Sequence, residues 1–373
     1  MKKTAFVPCE YNPFHEGHLR QIGLLRERGF ERIVSLMSGP FVQRGEPSVF
    51  PVAQRARAAA QAGIDLVLMM PYAFCAQTAE MFARGAVLTA ISCGAEYLCF
   101  GAEDPERYAD FIRCAGLLEE KRVIERIASL AKGNVPYPAC RISVLSEETG
   151  KDMSFLEKPN NILALEYVRA ILRSACPIEP VAVERVPGLS SASDIRKQII
   201  KEAKLPARTL DEYVPVIRYL ISMGEEEKFR QICGYFPGLY SRMRSALPSL
   251  EEGLEKFVSE VNTATVPSSR IRRFLVNMMI GYTEEEKRIY SEHVPAYVRV
   301  LAIGEKGGEI LKEISSERDI YTVTKPSDAL RSAALGETDM RMFRLDNRAF
   351  DLYSLNESRT GDALRYTPFV RKI

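Results

Sequence analysis

The chain has 373 residues, of which 46% are hydrophobic and 27% are charged, so it is long enough for two globular domains with a sizeable core. Its 51 basic and 49 acidic residues leave a net charge of +2, which excludes a globally basic nucleic-acid binder and confines any RNA-binding surface to a local patch. The eight cysteines form no C-x-x-C pair and no zinc spacing, so we expect reduced thiols in a cytoplasmic protein. No apolar run reaches the ~18 residues that cross a bilayer, and the start of the chain has no signal-peptide core, so we expect no membrane partner.

The first predicted elements are a strand over Thr4–Val7, a tight loop, and a helix from Gly17 to about Arg28. A strand–loop–helix junction presents unpaired backbone N–H groups and the positive end of the helix dipole, and it therefore favours a phosphate. His15 and His18 are three residues apart, so both imidazoles project to the same side. Pro13 fixes the φ angle of the loop, and we expect Gly17 to leave room for a sugar or base. A helix-start histidine pair by itself is more often structural, but this context indicates a ligand site.

Short apolar runs and helical patterns alternate up to about residue 200. The predicted strands after the first are Arg32–Met37, Asp65–Met70, Tyr97–Phe100 and Pro180–Val186, and the predicted helices after the first are Pro51–Ala62, Gln77–Ser92, Pro105–Ala131 (one helix or two) and Pro159–Ser174. This alternation predicts an α/β fold, a Rossmann-like parallel sheet with helices on both faces. Ligands bind at the carboxyl ends of such strands. We therefore expect one crevice lined by Pro8–His18, Ser38–Pro47, Pro71–Phe74 and Gly101–Asp104.

Several loops of this region carry polar residues with two interpretations each. The loop Ser38–Pro47 is either a solvated loop or a substrate loop in which Ser38 and Gln43 face the substrate and Arg44 clamps an anion. Gly101 is either a turn glycine or a place where adenine or ribose approaches the backbone. Asn160, at a helix start, could serve as an Asx cap alone. Arg185, at the end of the last strand, is expected to reach the crevice.

A second phosphate cradle is predicted where Ser190 and Ser191 open a helix that carries Arg196 about one and a half turns later. As an isolated string this pattern is typical of an N-cap. Together with the histidine motif at the other end of the same α/β unit, it indicates a site that closes over a triphosphate.

After Ile200 the strand signal disappears, so we predict a catalytic domain over 1–200 and a mainly helical domain over 201–373. The predicted helices are Glu212–Met223, Glu225–Cys233, Leu239–Ala246, Leu250–Val261, Ser268–Ile280, Thr283–Glu292 and Pro295–Ala302, and the tail Asp319–Ile373 shows little periodicity. One helix opens with Arg270, Arg272 and Arg273. This cluster is either a solvated face or an RNA-binding patch.

The quoted strings resemble a known family. His15-Glu16-Gly17-His18 and Ser190-Ser191-Ala192-Ser193-Asp194-Ile195-Arg196 resemble the His-x-Gly-His and S-S-x-x-I-R elements of the nucleotidyltransferase superfamily. With Gln43-Arg44-Gly45-Glu46-Pro47, Pro159-Asn160-Asn161-Ile162-Leu163, Arg270-Ile271-Arg272-Arg273 and Tyr297-Val298-Arg299-Val300-Leu301, the likeness is to the bacterial tRNA(Met) cytidine acetate ligases. It covers most of the chain and thins after about Glu309.

The resemblance implies a reaction in which acetate and ATP form an acetyl-adenylate, and the wobble cytidine (C34) of elongator tRNA(Met) becomes N4-acetylcytidine. It implies an ATP site made by Gly101, Asn160, Arg185 and the stretch Val7, Pro8, Cys9, Glu10, Tyr11, Asn12, Pro13, Phe14, His15, Glu16, Gly17, His18, Leu19 and Arg20, with His15 and His18 stabilising charge on the α-phosphate. We expect Mg²⁺ on the triphosphate, no metal ligands from the protein and no obligate protein partner. The same residues would serve an adenylyltransferase acting on a small phosphorylated metabolite, and a third reading is an RNA-binding protein with a degenerate nucleotide site.

Overall fold

The strands pair into one central sheet in the computed structural model, which describes residues 2–132, 135–185, 192–202, 207–263, 265–318, 320–355 and 362–371. The described strands are β1 (Thr4–Cys9), β2 (Arg32–Ser38), β3 (Phe41–Val42), β4 (Glu46–Pro47), β5 (Leu66–Met70), β6 (Tyr97–Ala102), β7 (Glu179–Glu184), β8 (Tyr297–Ile303), β9 (Tyr321–Val323) and β10 (Phe369–Val370). The sheet runs in the order β10-β8-β5-β2-β1-β6-β7, with β9 beside β8, whereas β3 and β4 form a separate hairpin. β1, β2, β5, β6 and β7 are mutually parallel. The predicted α/β class is confirmed.

Helices cover both faces of this sheet. The described α-helices are α1 (Glu16–Glu27), α2 (Val52–Gln61), α3 (Tyr72–Cys75), α4 (Ala79–Ser92), α5 (Tyr108–Leu117), α6 (Lys121–Ala131), α7 (Tyr137–Thr149), α8 (Pro159–Ser174), α9 (Ala192–Glu202), α10 (Val214–Met223), α11 (Glu226–Arg230), α12 (Leu239–Ala246), α13 (Leu254–Val261), α14 (Ser268–Ile280), α15 (Glu284–Tyr290), α16 (Gly307–Glu317), α17 (Pro326–Ala329), α18 (Glu337–Tyr353) and α19 (Asp362–Arg365). Short 3₁₀ segments span Pro105–Arg107, Ser154–Glu157, Leu210–Tyr213 and Leu247–Glu251.

Successive residues of the central strands enter two different hydrophobic cores. Phe6 and Val34 point into the larger core with α4 and α8, whereas the neighbouring Val7 packs in the other core with α1 and α2. This follows from the two-residue period of a strand. Because helices cover both faces of the sheet, the sequences of the central strands are continuous apolar runs, as is usual for parallel sheets.

The helix predicted over Pro295–Ala302 is wrong, because this segment forms β8 and pairs antiparallel with β5. All but the last residue of β8 are buried. A short, fully buried strand shows no polar–apolar alternation, so periodicity could not distinguish it from a buried helix. The division at residue 200 stays a prediction, and β8, β9 and β10 join the sheet from beyond it.

The parallel strands end at one edge of the sheet, and this edge positions the site. Cys9, Ser38, Ala102 and Glu184 are the last residues of β1, β2, β6 and β7, so the loops that follow them are neighbours. The segment Pro71–Phe74 follows β5 but is buried along its whole length. It therefore belongs to the core, and its predicted place in the lining of an open crevice is wrong.

None of the described helices has both the length and the apolar character needed to cross a membrane. All eight cysteines are free thiols; seven are buried and Cys176 is partly exposed.

Candidate active site at the carboxyl edge of the sheet

The two histidines are locked together by backbone hydrogen bonds at the start of α1. His15 is the N-cap residue, and its Nδ1 accepts from the backbone N–H of Gly17 at 3.0 Å. The backbone N–H of His15 donates in turn to Nδ1 of His18 at 3.2 Å, and the two ring centroids are 3.9 Å apart. A backbone N–H can only donate, so both Nδ1 atoms are unprotonated acceptors. The proton of each neutral ring is therefore on Nε2, where it is available to a ligand.

Both imidazoles are neutral at physiological pH. Burial is the main cause that lowers the pKa of His18 to about 3, and the neighbouring His15 and Arg185 act in the same direction. Burial likewise lowers the pKa of His15, with Arg185 acting in the same direction and Glu16 against it. Arg185 thus lies within electrostatic reach of both rings, as its position at the strand end predicted. The pair offers two hydrogen-bond donors beside one fixed cation.

Gly17 has a different role from the one predicted. A Cβ at this position would lie 2.8 Å from Cε1 of the His15 ring and 3.0 Å from its Nδ1, closer than side chains tolerate. The space that we assigned to a sugar or base is filled by the imidazole of His15. A side chain at this position would displace the ring of His15, which folds back over the first turn of its own helix.

The loop before the histidines is held from several directions. The carboxylate of Glu10 accepts from the backbone N–H of Gln43 at 2.7 Å. The side-chain oxygen of Asn12 accepts from the backbone N–H of Val49 at 2.8 Å, and its main-chain oxygen accepts from Nη1 of Arg196 at 2.8 Å. Arg196 therefore lies beside the loop before the histidines, and its place in a phosphate cradle stays a prediction.

The loop before the histidines also contains a residue with a strained backbone and a hydrogen-bond donor without a partner among the described residues. Tyr11 adopts a positive φ of 46° and is held by a 2.7 Å hydrogen bond between its hydroxyl and Ser35 Oγ. Non-glycine residues with such backbone angles concentrate at functional sites. The amide Nδ2 of Asn12 is buried, and in the described part of the chain it has no hydrogen-bond partner. It is a further donor for a bound ligand.

Arg55 was not predicted as a site residue, although it ties two site loops together. Its side chain is 2% exposed. The guanidinium donates to the main-chain oxygens of Glu10 at 2.6 Å, Ser38 at 3.2 Å and Phe50 at 3.2 Å, and it also donates to that of Gly39. One signal could have revealed it, since Arg55 lies on the face of α2 that buries Val52, Ala56 and Ala59.

Glu103 was also missed, and it organises the start of α8. Its Oε1 accepts from Asn160 Nδ2 at 2.7 Å and from the Asn160 backbone at 3.2 Å, while Oε2 accepts from the Asn161 backbone at 2.8 Å. Nη1 of Arg185 stands 3.7 Å from Oε1. The Asx-cap interpretation of Asn160 is wrong, because the acceptor at this helix end is the carboxylate of Glu103. Asn160 and Arg185, from different elements, thus share one anchor.

The remaining predicted ATP-binding positions differ in their exposure. Val7, Cys9 and Tyr11 are buried in the core of the α1 face, so a ligand could meet their backbone only. Pro8, Phe14 and Gly101 are partly exposed, Pro13 is buried, and Glu16, Leu19 and Arg20 are exposed. Ser190 and Ser191 lie outside the described residues.

Two of these positions have informative surroundings. Arg20 pairs with Glu27 at 3.5 Å on the surface of α1. A Cβ at Gly101 would meet no atom within 4 Å, so nothing in the described protein fills the space beside this residue. The role of Gly101 in nucleotide binding stays a prediction.

The predicted substrate loop lies between the histidine loop and the arginine cluster. Ser38 is fully buried, Gln43 is partly buried and donates through Nε2 to the Gln77 oxygen at 2.9 Å, and Arg44 is exposed. At the other end of the loop, Gly45 contacts the backbone of α14 beside Arg273. The loop therefore joins the two regions that the sequence predicted separately.

A family model and curated relatives match most of this chain. The family model described as HIGH Nucleotidyl Transferase matches residues 1–365. The chain is 29% identical to the tRNA(Met) cytidine acetate ligase of Geobacillus sp. strain WCH70, over 87% of this chain and 90% of that protein. It is 31% identical to the tRNA(Met) cytidine acetate ligase of Syntrophotalea carbinolica, over 93% of this chain and 92% of that protein.

A solved structure is also similar over its full length. The Thermotoga maritima protein TmcAL bound with alpha-thio ATP superposes with a TM-score of 0.89 at 26% identity, covering 100% of both chains. An ATP analogue is thus bound by a protein of this fold. The chain belongs to the HIGH nucleotidyl transferase family, in the branch of the tRNA(Met) cytidine acetate ligases.

Proposed function

We propose that this protein is an ATP-dependent acetate ligase that forms N4-acetylcytidine at the wobble position, C34, of elongator tRNA(Met). The observation that carries the proposal is the pair of neutral imidazoles, each with its proton on Nε2, at a helix start beside Arg185. The names of relatives that align over most of the chain and the ATP analogue bound by the Thermotoga maritima protein support it.

In the first step an acetate oxygen attacks the α-phosphorus of ATP. The new O–P bond forms as the bond to the β-phosphate oxygen breaks, giving acetyl-adenylate and pyrophosphate. Such a step needs charge neutralisation and in-line positioning more than a protein nucleophile. Nε2–H of His15 and His18 would donate to phosphate oxygens, and Arg185 and Arg196 would balance the negative charge.

Mg²⁺ belongs to this step as part of the substrate MgATP, where it neutralises phosphate oxygens. Within the described ranges, no group of three or more His, Cys, Asp and Glu side chains is placed to hold a metal ion. We assign the ion's coordination to the triphosphate.

In the second step the N4 amine of the cytidine attacks the acetyl carbonyl, which gives N4-acetylcytidine and releases AMP. In this mechanism the acetyl group is never covalently attached to the protein. Cys9 is the last residue of β1, directly before the loop that leads to the histidines. Burial raises the pKa of its thiol to about 12, so it is protonated and a poor nucleophile at neutral pH.

We assign the ATP chemistry to residues 1–200 and tRNA binding mainly to residues 201–373. The partners are elongator tRNA(Met) and acetate, with no obligate protein partner. A tRNA substrate also favours the cytoplasm as the place of the reaction.

The proposal is tested by measuring pyrophosphate release from ATP with acetate, with propionate, with glycine and with no acid, each with and without tRNA. We expect pyrophosphate release to depend on acetate and AMP to appear as a free product. When tRNA(Met) is present, we expect the labelled acetyl group to be found on this RNA. AMP stably attached to a small phosphorylated acceptor would instead identify an adenylyltransferase. Absence of any ATP turnover would favour an RNA-binding protein with a degenerate nucleotide site.

A further inference from the structure

The turn of the β3–β4 hairpin lies directly on the first turns of α14. Gly45 has a φ of +78°, and a Cβ there would stand 2.3 Å from the backbone nitrogen of Arg273. Only glycine fits such a close approach. Arg44 lies at the exposed tip of this turn. The contact of Gly45 with α14 therefore places Arg44 near the arginines of α14.

The three arginines of α14 are not equivalent. Arg272 is neutralised, since its Nη2 lies 2.6 Å and 2.7 Å from the two carboxylate oxygens of Glu255 and its Nη1 lies 3.8 Å from Glu46. Its side chain is 17% exposed. Arg272 therefore has little positive charge to offer an external anion, and the predicted patch of three residues loses one member.

Among the described residues, Arg44, Arg270 and Arg273 have no such partners. In the part of the chain that the structure describes, no carboxylate oxygen lies within 4.0 Å of their guanidinium groups. Arg270 lies over the ring of Phe236 at 4.7 Å. The opposing charge that acts on Arg270 is that of Glu284, whose carboxylate already accepts from Lys287 Nζ at 2.7 Å.

The environment of Arg273 shows that these charges are close together and partly desolvated. Burial lowers the pKa of Arg273 to about 10, and the positive charges of Arg270 and Arg44 act in the same direction. Arg270 and Arg273 also lie in the first two turns of α14, where the helix dipole disfavours cations. An arrangement of like charges that lacks internal counterions is stabilised when an anion binds.

We propose that Arg44, Arg270 and Arg273 together form a binding site for backbone phosphates of the RNA substrate. Arginine suits this ligand because its planar guanidinium makes paired hydrogen bonds to phosphate oxygens. The site adjoins the loop before the histidines, since Gln43, the residue before Arg44, donates its backbone N–H to Glu10 in that loop at 2.7 Å. The inference rests on the proposed function and specifies the surface that holds the RNA next to the bound nucleotide.

The test is the affinity of the full-length protein for tRNA(Met) transcript across a salt series. The variants are Arg44→Gln, Arg273→Gln and the double variant. Arg113→Gln is the matched control, because Arg113 is an exposed arginine on α5 and its loss changes the net charge equally. Each site variant should weaken binding and lower the salt slope by about one unit per lost phosphate contact, whereas the control should keep the parent slope. Arg44 is exposed, so its variant remains informative if Arg273→Gln fails to fold.

Two results would overturn the inference. One is a salt slope in both single variants that matches the parent protein or Arg113→Gln. The other is an unchanged slope with a raised KM for ATP in pyrophosphate release, which would assign the arginines to the triphosphate of the nucleotide. Failure of the proposed function is recognised separately, as pyrophosphate release by the parent protein that does not depend on acetate.

Discussion

At the scale of single residues, His15 and His18 act as donors because the backbone occupies Nδ1 of both rings. Replacing His18 by Ala removes one Nε2–H donor from the proposed α-phosphate site. Losing one such donor typically lowers the rate on the order of 10²- to 10³-fold. We expect acetate-dependent pyrophosphate release to fall by this factor while the thermal unfolding midpoint changes little.

A matched control is the third histidine. His293 pairs through Nε2 with Asp339 at 2.8 Å and lies outside the candidate site, so His293→Ala should keep the rate of pyrophosphate release. If His18→Ala retained near-parent activity, the assignment of the histidine pair to the α-phosphate would be wrong.

A variant of Glu103 can test the role of this residue in ATP binding. In Glu103→Gln one oxygen still accepts from Asn160, but the amide group that replaces the other oxygen faces the N–H of Asn161. Loss of a charged hydrogen bond costs about 1.5–3 kcal/mol, so we expect KM for ATP to rise on the order of tenfold with a smaller change in kcat. The control is Glu106→Gln, because Glu106 is an exposed glutamate in the 3₁₀ segment that follows Glu103. Equal KM values for ATP in the two variants would show that Glu103 has a purely structural role.

At the scale of elements, α2 supports the site through a single buried side chain. Arg55 connects the end of β1, the end of β2 and the chain before α2 through their main-chain oxygens. Lysine keeps the charge but cannot reproduce the planar fork of donors. Because Arg55→Lys leaves buried oxygens unpaired, we expect the free energy of unfolding to fall by roughly 1–3 kcal/mol, together with slower pyrophosphate release.

The same helix offers the comparison for this prediction. Arg57 is exposed and lies 5.1 Å over the ring of Phe369, so Arg57→Lys should change the unfolding free energy by less than about 0.5 kcal/mol. Urea unfolding of the three proteins measures both effects. Equal stabilities for the two variants would show that the buried fork does not hold the loops.

At the scale of the whole molecule, Asp346 joins α18 to the sheet. It is fully buried, and its carboxylate accepts from the Tyr72 backbone and from the Tyr297 hydroxyl, each at 2.7 Å. Burial raises its pKa to about 6 from an ordinary value of 3.8. The protonated form is therefore favoured in the folded state. Its stabilising contribution is complete below pH 3.8 and is lost as the pH rises through about 6.

We therefore expect the free energy of unfolding of the parent protein to fall relative to that of Asp346→Asn between pH 4 and pH 8. The change in the difference should be on the order of 2–3 kcal/mol, since each pKa unit corresponds to about 1.4 kcal/mol. Urea unfolding at several pH values measures it. Parallel stability curves for the two proteins would contradict the raised pKa.

The local part of the fold and the site was predictable from the sequence. The first strand, the loop and α1 lie within three residues of their predicted bounds, and α8, α12 and α14 have the predicted bounds. The histidine pair could be recognised because its defining hydrogen bonds join residues two and three positions apart. Such contacts depend on spacing and helix geometry, which the sequence alone determines.

The tertiary structure alone decided the contacts between distant residues. Arg55 meets Glu10 from 45 positions away, Glu103 meets Asn160 from 57 positions away, and Tyr72 meets Asp346 from 274 positions away. The strand identity of β8 was decided in the same way, because its pairing with β5 outweighs a local pattern that suits a helix equally well. The sequence thus determined which groups could carry the chemistry, whereas long-range packing decided which side chains hold them and that Glu255 pairs with Arg272.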